Sequence, residues 1–450
     1  MSRSHYKPFE RIGQRVFQQP MNKPNNASEK NTYEDYAAFV AIDWADKEHT
    51  FHLRVAGQTK TETGTLEQKP EVLGPWVAKL RQRFGGRAVA VALEQSRGAL
   101  IHALLAYDFL VLYPLHLTTV SKFREAFKSS GCKSDPLDAG QILEILTKHL
   151  EQLRPLNPDT EETRLLARLV EDRRKAVDLR TSHLQALGAA LKEYFPQALE
   201  LASGNLASRL ACDLLLKWPT FEAFQQAKPA TLKSFYYGHN VRSAEAIEKV
   251  LHLAQHSQAL TRDPAIVQSG RYLSQMYARL LKALNPVIED YDARINKAFK
   301  AHPEVKLFNA LPGAGPALAP RLLAFFGTDR SRYETAESVQ SFTGIGPVSQ
   351  SSGKSRIVYF RRACPKFDRQ TLHEFARLSV AKCQWARNYL DYYLGKGKKF
   401  HTVVRALAWK WIRILFRCWQ NRSPYNEEQY LRVLEKRGSM FATLHLKKQS

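Results

Sequence analysis

Small hydroxyl residues set between turn-forming glycines and followed at once by cations can present an oxygen nucleophile to a phosphate. The stretch Gly344-Ile345-Gly346-Pro347-Val348-Ser349-Gln350-Ser351-Ser352-Gly353-Lys354-Ser355-Arg356 has that make-up. Glycine lets the backbone turn sharply and approach a ligand closely, and a serine so placed is a candidate for covalent phosphoryl transfer. Serine and glycine also populate ordinary surface turns, which is the competing reading. Far upstream stand four carboxylates, Asp43, Glu94, Asp135 and Asp138. Gathered together, such acids repel unless a cation holds them, which points to a hard divalent ion with oxygen ligands, most simply Mg²⁺. Two such ions about 3.5–4 Å apart can stabilise both the entering and the leaving oxygen of a phosphodiester exchange.

The elements that must position these groups are legible as hydrophobic patterns. Phe39-Val40-Ala41-Ile42 is a short apolar run ending in Asp43, and Ala88-Val89-Ala90-Val91-Ala92-Leu93 is another ending in Glu94. Runs of this length read as buried strands, so each acid sits where the chain leaves the core. Thr50 to Val55 alternates, Thr59 to Leu66 follows it closely, and Leu110 to Tyr113 is a further short strand. Helical patterns cover about Pro70 to Phe84, Arg97 to Ala106, and Asp135 to about Lys148. Three antiparallel strands followed by αβαβα predict a mixed sheet covered on both faces. Each acid keeps a bland alternative. Asp43 and Glu94 could be strand-end surface residues. Asp135 before Pro136 makes a good helix cap, and Asp138 suits a positive helix terminus.

Downstream, an apolar stripe runs from Glu161 to Tyr194 and a second long pattern from about Ile266 to Phe299. They predict two long helices able to pair, with a smaller helical insertion near 200–260, although the heptads are irregular. Leu311-Pro312-Gly313-Ala314-Gly315-Pro316 joins two helical patterns through a Gly-x-Gly turn. In a helix-hairpin-helix, Gly313 and Gly315 would leave backbone N–H groups open to a DNA phosphate; a tight connection without ligand competes. Lys354, Arg356, Arg361, Arg362 and Lys366 are interleaved with Tyr359 and Phe360, a pattern suited to gripping a nucleic-acid backbone, or simply a solvated face. The tryptophans at 409, 411 and 419 lie on a helix from Val403 and read as core.

Charge narrows the partners. The 450 residues carry 67 Lys and Arg against 43 Asp and Glu, a formal net charge of +24. Such an excess attracts polyanions, nucleic acid before an anionic membrane. No apolar run approaches the roughly 20 residues of a spanning helix, and no secretory h-region opens the sequence, so a cytosolic protein is expected. The five cysteines show no C-x-x-C pair, which favours reduced packing thiols over disulfides or zinc.

The order Asp43, Glu94, Asp135, Asp138 resembles the D-E-D-D set of a RuvC-like, RNase H-fold domain, and Ser352-Gly353-Lys354 resembles the serine motif of the IS-one-ten insertion-sequence family, which includes Piv-type DNA invertases. Lys133-Ser134-Asp135-Pro136-Leu137-Asp138-Ala139, the Gly313 to Pro316 turn, Phe360 to Cys364 and the Trp409 to Trp419 region carry the likeness. It implies an α/β RNase H-like N-terminal domain and a mostly α C-terminal transposase domain joined by a helical coiled-coil arm. The expected organisation is a flexible basic arm over 1–34, the acid domain over 35–152, the arm with its insertion over 153–302, the serine domain over 303–436 and a basic tail over 437–450. The implied activity is RNA-guided DNA strand exchange. By this resemblance Ser352 would form a phosphoserine bond, and Asp43, Glu94, Asp135 and Asp138 would hold Mg²⁺ (two ions, or Mn²⁺). Lys354, Arg356, Arg361, Arg362, Lys366, Gly313 and Gly315 bind nucleic acid. The implied partners are donor and target DNA, a noncoding bridge (seeker) RNA, and further copies of the chain in a homodimer or homotetramer with composite active sites. The setting would be the prokaryotic nucleoid. Ser351 is the alternative nucleophile, one position away. A metal-dependent nuclease of the RuvC type and a non-catalytic nucleic-acid-binding protein are the rival classes.

Overall fold

The computed structural model describes residues 32–95, 97–127, 135–353 and 355–443. The expected N-terminal arm therefore lies almost wholly outside the described residues, as do Lys133, Ser134, Lys354 and the end of the basic tail. The chain divides into two compact units, Met1–Pro158 and Asp159–Ser450.

The first unit is built on a five-stranded sheet. Strands β1 (Ala38–Asp43), β2 (Glu48–Val55) and β3 (Thr61–Glu67) form an antiparallel meander; helix α1 (Pro70–Arg83), β4 (Val89–Leu93), α2 (Ala99–Leu104), β5 (Leu110–Pro114), α3 (Leu117–Phe127) and α4 (Asp135–Lys148) follow. The strand order is β3-β2-β1-β4-β5, with β4 parallel to both β1 and β5. This is the mixed sheet that the strand pattern predicts. Side chains alternate across it. Val40, Ile42, Val89, Val91 and Leu93 pack with Leu73, Val77, Leu80, Leu100 and Leu104 of α1 and α2. Phe39, Ala41, Ala90 and Ala92 pack with Val120 of α3 and Ile142, Leu143 and Leu146 of α4. Ala41, Ala90 and Ala92, at the centre of this face, are small and leave room for the helix.

The second unit is helical. Helix α5 (Glu161–Tyr194) is followed by five short helices, α6 (Gln197–Leu201), α7 (Arg209–Lys217), α8 (Phe221–Gln225), α9 (Pro229–Gly238) and α10 (Ala244–His256), then by α11 (Pro264–Ala301). Helices α5 and α11 run antiparallel. Thr163 meets His302 (Oγ1 to Nε2 2.9 Å) at one end, Arg173 pairs with Asp292 in the middle, and Tyr194 meets Ser274 (2.5 Å between hydroxyls) at the other. Gly270 is required where Tyr194 crosses α11, because a Cβ there would lie 2.4 Å from the tyrosine ring. The short helices pack at the Tyr194 end in a core of their own, around Phe195, Phe224 and Tyr236.

The remainder comprises α12 (Val305–Asn309), α13 (Gly315–Phe326), α14 (Ala336–Phe342), strands β6 (Val348–Ser352) and β7 (Ser355–Tyr359), then α15 (Lys366–Ser379), α16 (Gln384–Gly395), α17 (Phe400–Gln420), α18 (Glu427–Lys436) and α19 (Met440–Thr443). Trp411 and Trp419 on α17 are fully buried, and each indole N–H is satisfied, by Ser379 Oγ at 2.8 Å and the Gly327 carbonyl at 2.7 Å. Burial raises the thiols of Cys212, Cys383 and Cys418 well above their usual range, as suits packing residues.

Candidate active site

In the first unit, β1 and β4 are parallel neighbours paired through Ile42 and Leu93, so the next residues, Asp43 and Glu94, leave the sheet side by side. Both continue the parity of Phe39, Ala41, Ala90 and Ala92, which is the face that α4 covers. Asp138, in the first turn of α4, is 4% exposed, and it shares the helical stripe of Ile142. Two strand ends and one helix start thus direct three of the four acids to one face of one sheet. Asp135 opens α4 three residues earlier; its side chain lies outside the described residues.

Asp138 is not left bare. Arg124 of α3 donates to its carboxylate and also to Gln141 Oε1 at 3.2 Å. Among the described residues no group of three or more His, Cys, Asp or Glu side chains is close enough to hold a metal ion. The donor chemistry nonetheless suits a hard cation. All the acids offer carboxylate oxygens, and Asp43 and Glu94 stand on strands about 4.8 Å apart. Sequence reading missed two residues here. Arg124 lies on α3, a helix whose pattern it did not detect. His52 pairs with Ala41 on β1, on the same face as Asp43, and its Nε2 is buried without a hydrogen-bond partner among the described residues. Burial first, and Arg54 second, hold this imidazole below its usual range, so it is neutral at pH 7. The alternation of β2 is the signal that could have found it.

In the second unit the serine stretch is a two-stranded antiparallel hairpin, paired from Val348 with Tyr359 to Ser352 with Ser355. Gly353 has φ +55°, the left-handed geometry that two-residue hairpin turns demand. At the foot, Gly344 (φ +68°) packs against Cys364, whose Sγ would lie 2.6 Å from an added Cβ. Ser352 pairs with Ser355 next to the turn and is exposed; Ser351 pairs with Arg356 and is exposed too. Neither hydroxyl has a hydrogen-bond partner among the described residues. Being consecutive on a strand, the two serines face opposite sides of the ribbon. Ser352 shares its side with Ile357 and Tyr359, 61% and 41% exposed, and Ser351 with Val358.

The other candidates separate. Arg361 and Arg362 follow the hairpin and Lys366 opens α15; the side chain of Arg356 lies outside the described residues. Gly313 (φ +79°) abuts the end of α15, where an added Cβ would come within 2.7 Å of the Leu378 carbonyl, so packing alone accounts for this glycine. Gly315 (φ +55°) begins α13 and is exposed, with nothing near it.

Two family models match the chain: a DEDD-type model of IS110 elements described as a transposase, over residues 40–196, and one described as transposase IS116/IS110/IS902 family, over residues 305–391. A mini-circle protein of Streptomyces coelicolor named as a transposase for IS117 is 26% identical over 333 residues, covering 71% of this chain and 78% of its own. The 42 kDa protein of insertion element IS900 from Mycobacterium paratuberculosis is 26% identical over 349 residues, 75% and 84% of the two chains. The 44.8 kDa protein of IS116 from Streptomyces clavuligerus is 24% identical over 384 residues, 84% and 93%. The first family match begins in β1 and ends just past α5; the second takes in the serine hairpin.

Proposed function

From the premise that this chain belongs to the IS110 family of insertion-sequence transposases, we propose that it exchanges DNA strands through a transient phosphoserine bond formed by Ser352. The observation that carries this reading is the hairpin, which offers an exposed hydroxyl beside a left-handed glycine at the tip of a free-standing ribbon. In the proposed step the Ser352 Oγ–P bond forms as one P–O ester bond of the DNA strand breaks. The hydroxyl proton passes to solvent and the leaving oxygen takes one up. Bond energy is conserved, so a new strand end can reverse the step and reseal without a nucleotide cofactor. Lys354 and Arg356 are the proposed clamps on the phosphate.

The mixed sheet with acids at adjacent strand ends supports an RNase H-like, RuvC-type reading of the first unit. Asp43, Glu94, Asp135 and Asp138 are the residues that would hold divalent metal, Mg²⁺ being the natural choice, and the ion would supply positive charge to the phosphate oxygens. In the proposed assembly the acids and the hydroxyl acting on one phosphodiester come from different protomers. Exposed Ile266, Leu273, Leu280 and Val287, seven residues apart on α11, support self-association. Guidance by a structured noncoding RNA follows from the family resemblance, and the excess of cations suits it.

The test is a covalent adduct. With a DNA substrate whose cleaved strand cannot religate, wild-type protein with Mg²⁺ should yield a denaturant-resistant protein–DNA band. S352A and D43N should each abolish it. Cleavage that persists in S352A without any adduct would sink the serine mechanism and favour a metal-dependent nuclease; absence of cleavage in every protein would favour a binding role.

A further inference from the structure

Beneath the serine hairpin lies a cavity of about 370 Å³, lined by Ile345 and Phe360 from the two sides of the hairpin's foot and by Lys366, Arg369, His373 and Arg405 from α15 and α17. Its polar lining is cationic or neutral, and among the described residues it includes no carboxylate. Two guanidinium groups stand on one ring, Arg369 at 4.5 Å and Arg405 at 4.4 Å from the centre of Phe360. Arg369 is further fixed by donating to the Arg361 carbonyl at 3.1 Å. Neither arginine pairs with an acid among the described residues. Elsewhere in this unit, partly buried arginines do find carboxylates: Arg321 with Glu374 and Arg330 with Glu304. Burial first, and Arg369 second, hold the Arg405 guanidinium below its usual range. The neighbouring Arg361 has a buried Nε without a hydrogen-bond partner among the described residues. Partly buried guanidinium groups crowded on one ring without an acid partner favour the binding of an anion. A phosphodiester oxygen would answer the charge and accept the forked N–H donors that planar guanidinium groups offer.

We infer that this cavity is a phosphate-binding site that grips one backbone phosphodiester of a nucleic-acid strand at the foot of the serine hairpin. The inference deepens the recombinase reading and rests on it for the nature of the ligand. Phe360 directly follows β7 and Ile345 shortly precedes β6, so the cavity lies one ribbon length, five residues or roughly 15 Å, from Ser352. A strand held there would be anchored near the hydroxyl without being read, since phosphate contacts position and base contacts specify.

The experiment uses full-length protein with fluorescein-labelled duplex DNA and, separately, single-stranded RNA, read by anisotropy across a salt series. K366Q and R405Q, singly and together, should weaken binding several-fold. Each lost contact should flatten the log–log salt slope by about 0.9 on the duplex or about 0.7 on the single strand. R405K, which keeps the charge but loses the planar fork, should restore the salt slope and only part of the affinity. Loss confined to the duplex assigns the site to DNA, loss confined to RNA assigns it to the RNA backbone, and loss on both assigns it to the shared phosphodiester. Unchanged affinity and slope on both probes in the double variant overturns the proposal. Lys366 is exposed, so K366Q decides the matter should R405Q disturb the fold. Adduct formation is scored separately: an intact adduct with K366Q/R405Q of wild-type affinity leaves the serine mechanism standing without the pocket. Lost adduct in S352A with a normal salt slope leaves both readings intact.

Discussion

Asp138 and Arg124 form the most constrained ionic contact around the candidate acids. The side chains are 6% and 23% exposed, so removing the guanidinium strands a carboxylate between helix and sheet. Breaking a buried pair from one side typically costs about 3–5 kcal/mol, and the partial exposure of Arg124 puts the expected loss at the low end. R124A should therefore lower the first calorimetric unfolding transition. If Asp138 helps to hold a divalent ion, that vacancy gives the ion easier access, and millimolar Mg²⁺ should raise the transition of R124A more than that of wild type. An equal response of the two proteins to Mg²⁺ would separate Asp138 from metal binding. The sequence shows the acid because it lies three residues from Asp135 at a helix start. It hides the arginine because the partnership is tertiary. In the same way Arg369 and Arg405 lie on two helices and meet only over Phe360. The alternation of β2 puts His52 on the face of Asp43, but only the tertiary packing of that face shows that the imidazole is buried there.

At the scale of elements, burial on one side marks each long helix with an apolar stripe, and burial on both faces marks β1 and β4 with a continuous apolar run. The stripe from Glu161 to Tyr194 is α5, and the pattern from Ile266 to Phe299 falls within α11. The run ending in Asp43 is β1, and the one ending in Glu94 is β4 with Glu94 just beyond it. The serine stretch, whose make-up announces only turns, is a β hairpin. Both strands are exposed, β6 is largely polar and β7 carries Ile357, Val358 and Tyr359 in succession, so no alternation marks them and only the turn at Gly353 shows in the sequence. Irregular heptads likewise concealed a seam on α11. Ile266, Leu273, Leu280 and Val287 recur every seven residues and are 38–46% exposed, with Met276 at 42% between them. These residues lie apart from the buried set, Ser274, Ala278, Leu281 and Ile288, that α11 turns inward. A repeating apolar stripe left outside a helix pair is the geometry of a coiled-coil contact, and a second copy of α11 would cover it in register. The double variant L273E/L280E should keep its helicity, because both sites face outward, while its mass by light scattering falls to that of the protomer. Strand exchange should fall with it if acids and hydroxyl come from different copies. An unchanged mass would remove α11 from the assembly.

For the whole molecule, the formal charge of +24 has consequences that no single site carries. A field of this size draws in any nucleic acid, and the binding free energy comes largely from counterions released from phosphates. Cationic side chains gripping a backbone read no sequence, whereas specificity delegated to base pairing with a guide leaves no code in the protein. The RNA-free chain should therefore bind duplexes of unrelated sequence alike, including the ends of its own element. Its affinity should fall by about 10³–10⁵ between about 50 and 200 mM salt if roughly six to ten phosphates are engaged. If a guide RNA sets the target, as proposed, supplying that RNA should create a preference for one duplex without steepening the salt slope, because pairing adds no cationic contact. A protein that, without RNA, selects its own ends severalfold over scrambled duplexes at physiological salt would contradict this, since such selection requires side chains on base edges. In that case a direct-readout surface, and not a guide, would have to account for target choice.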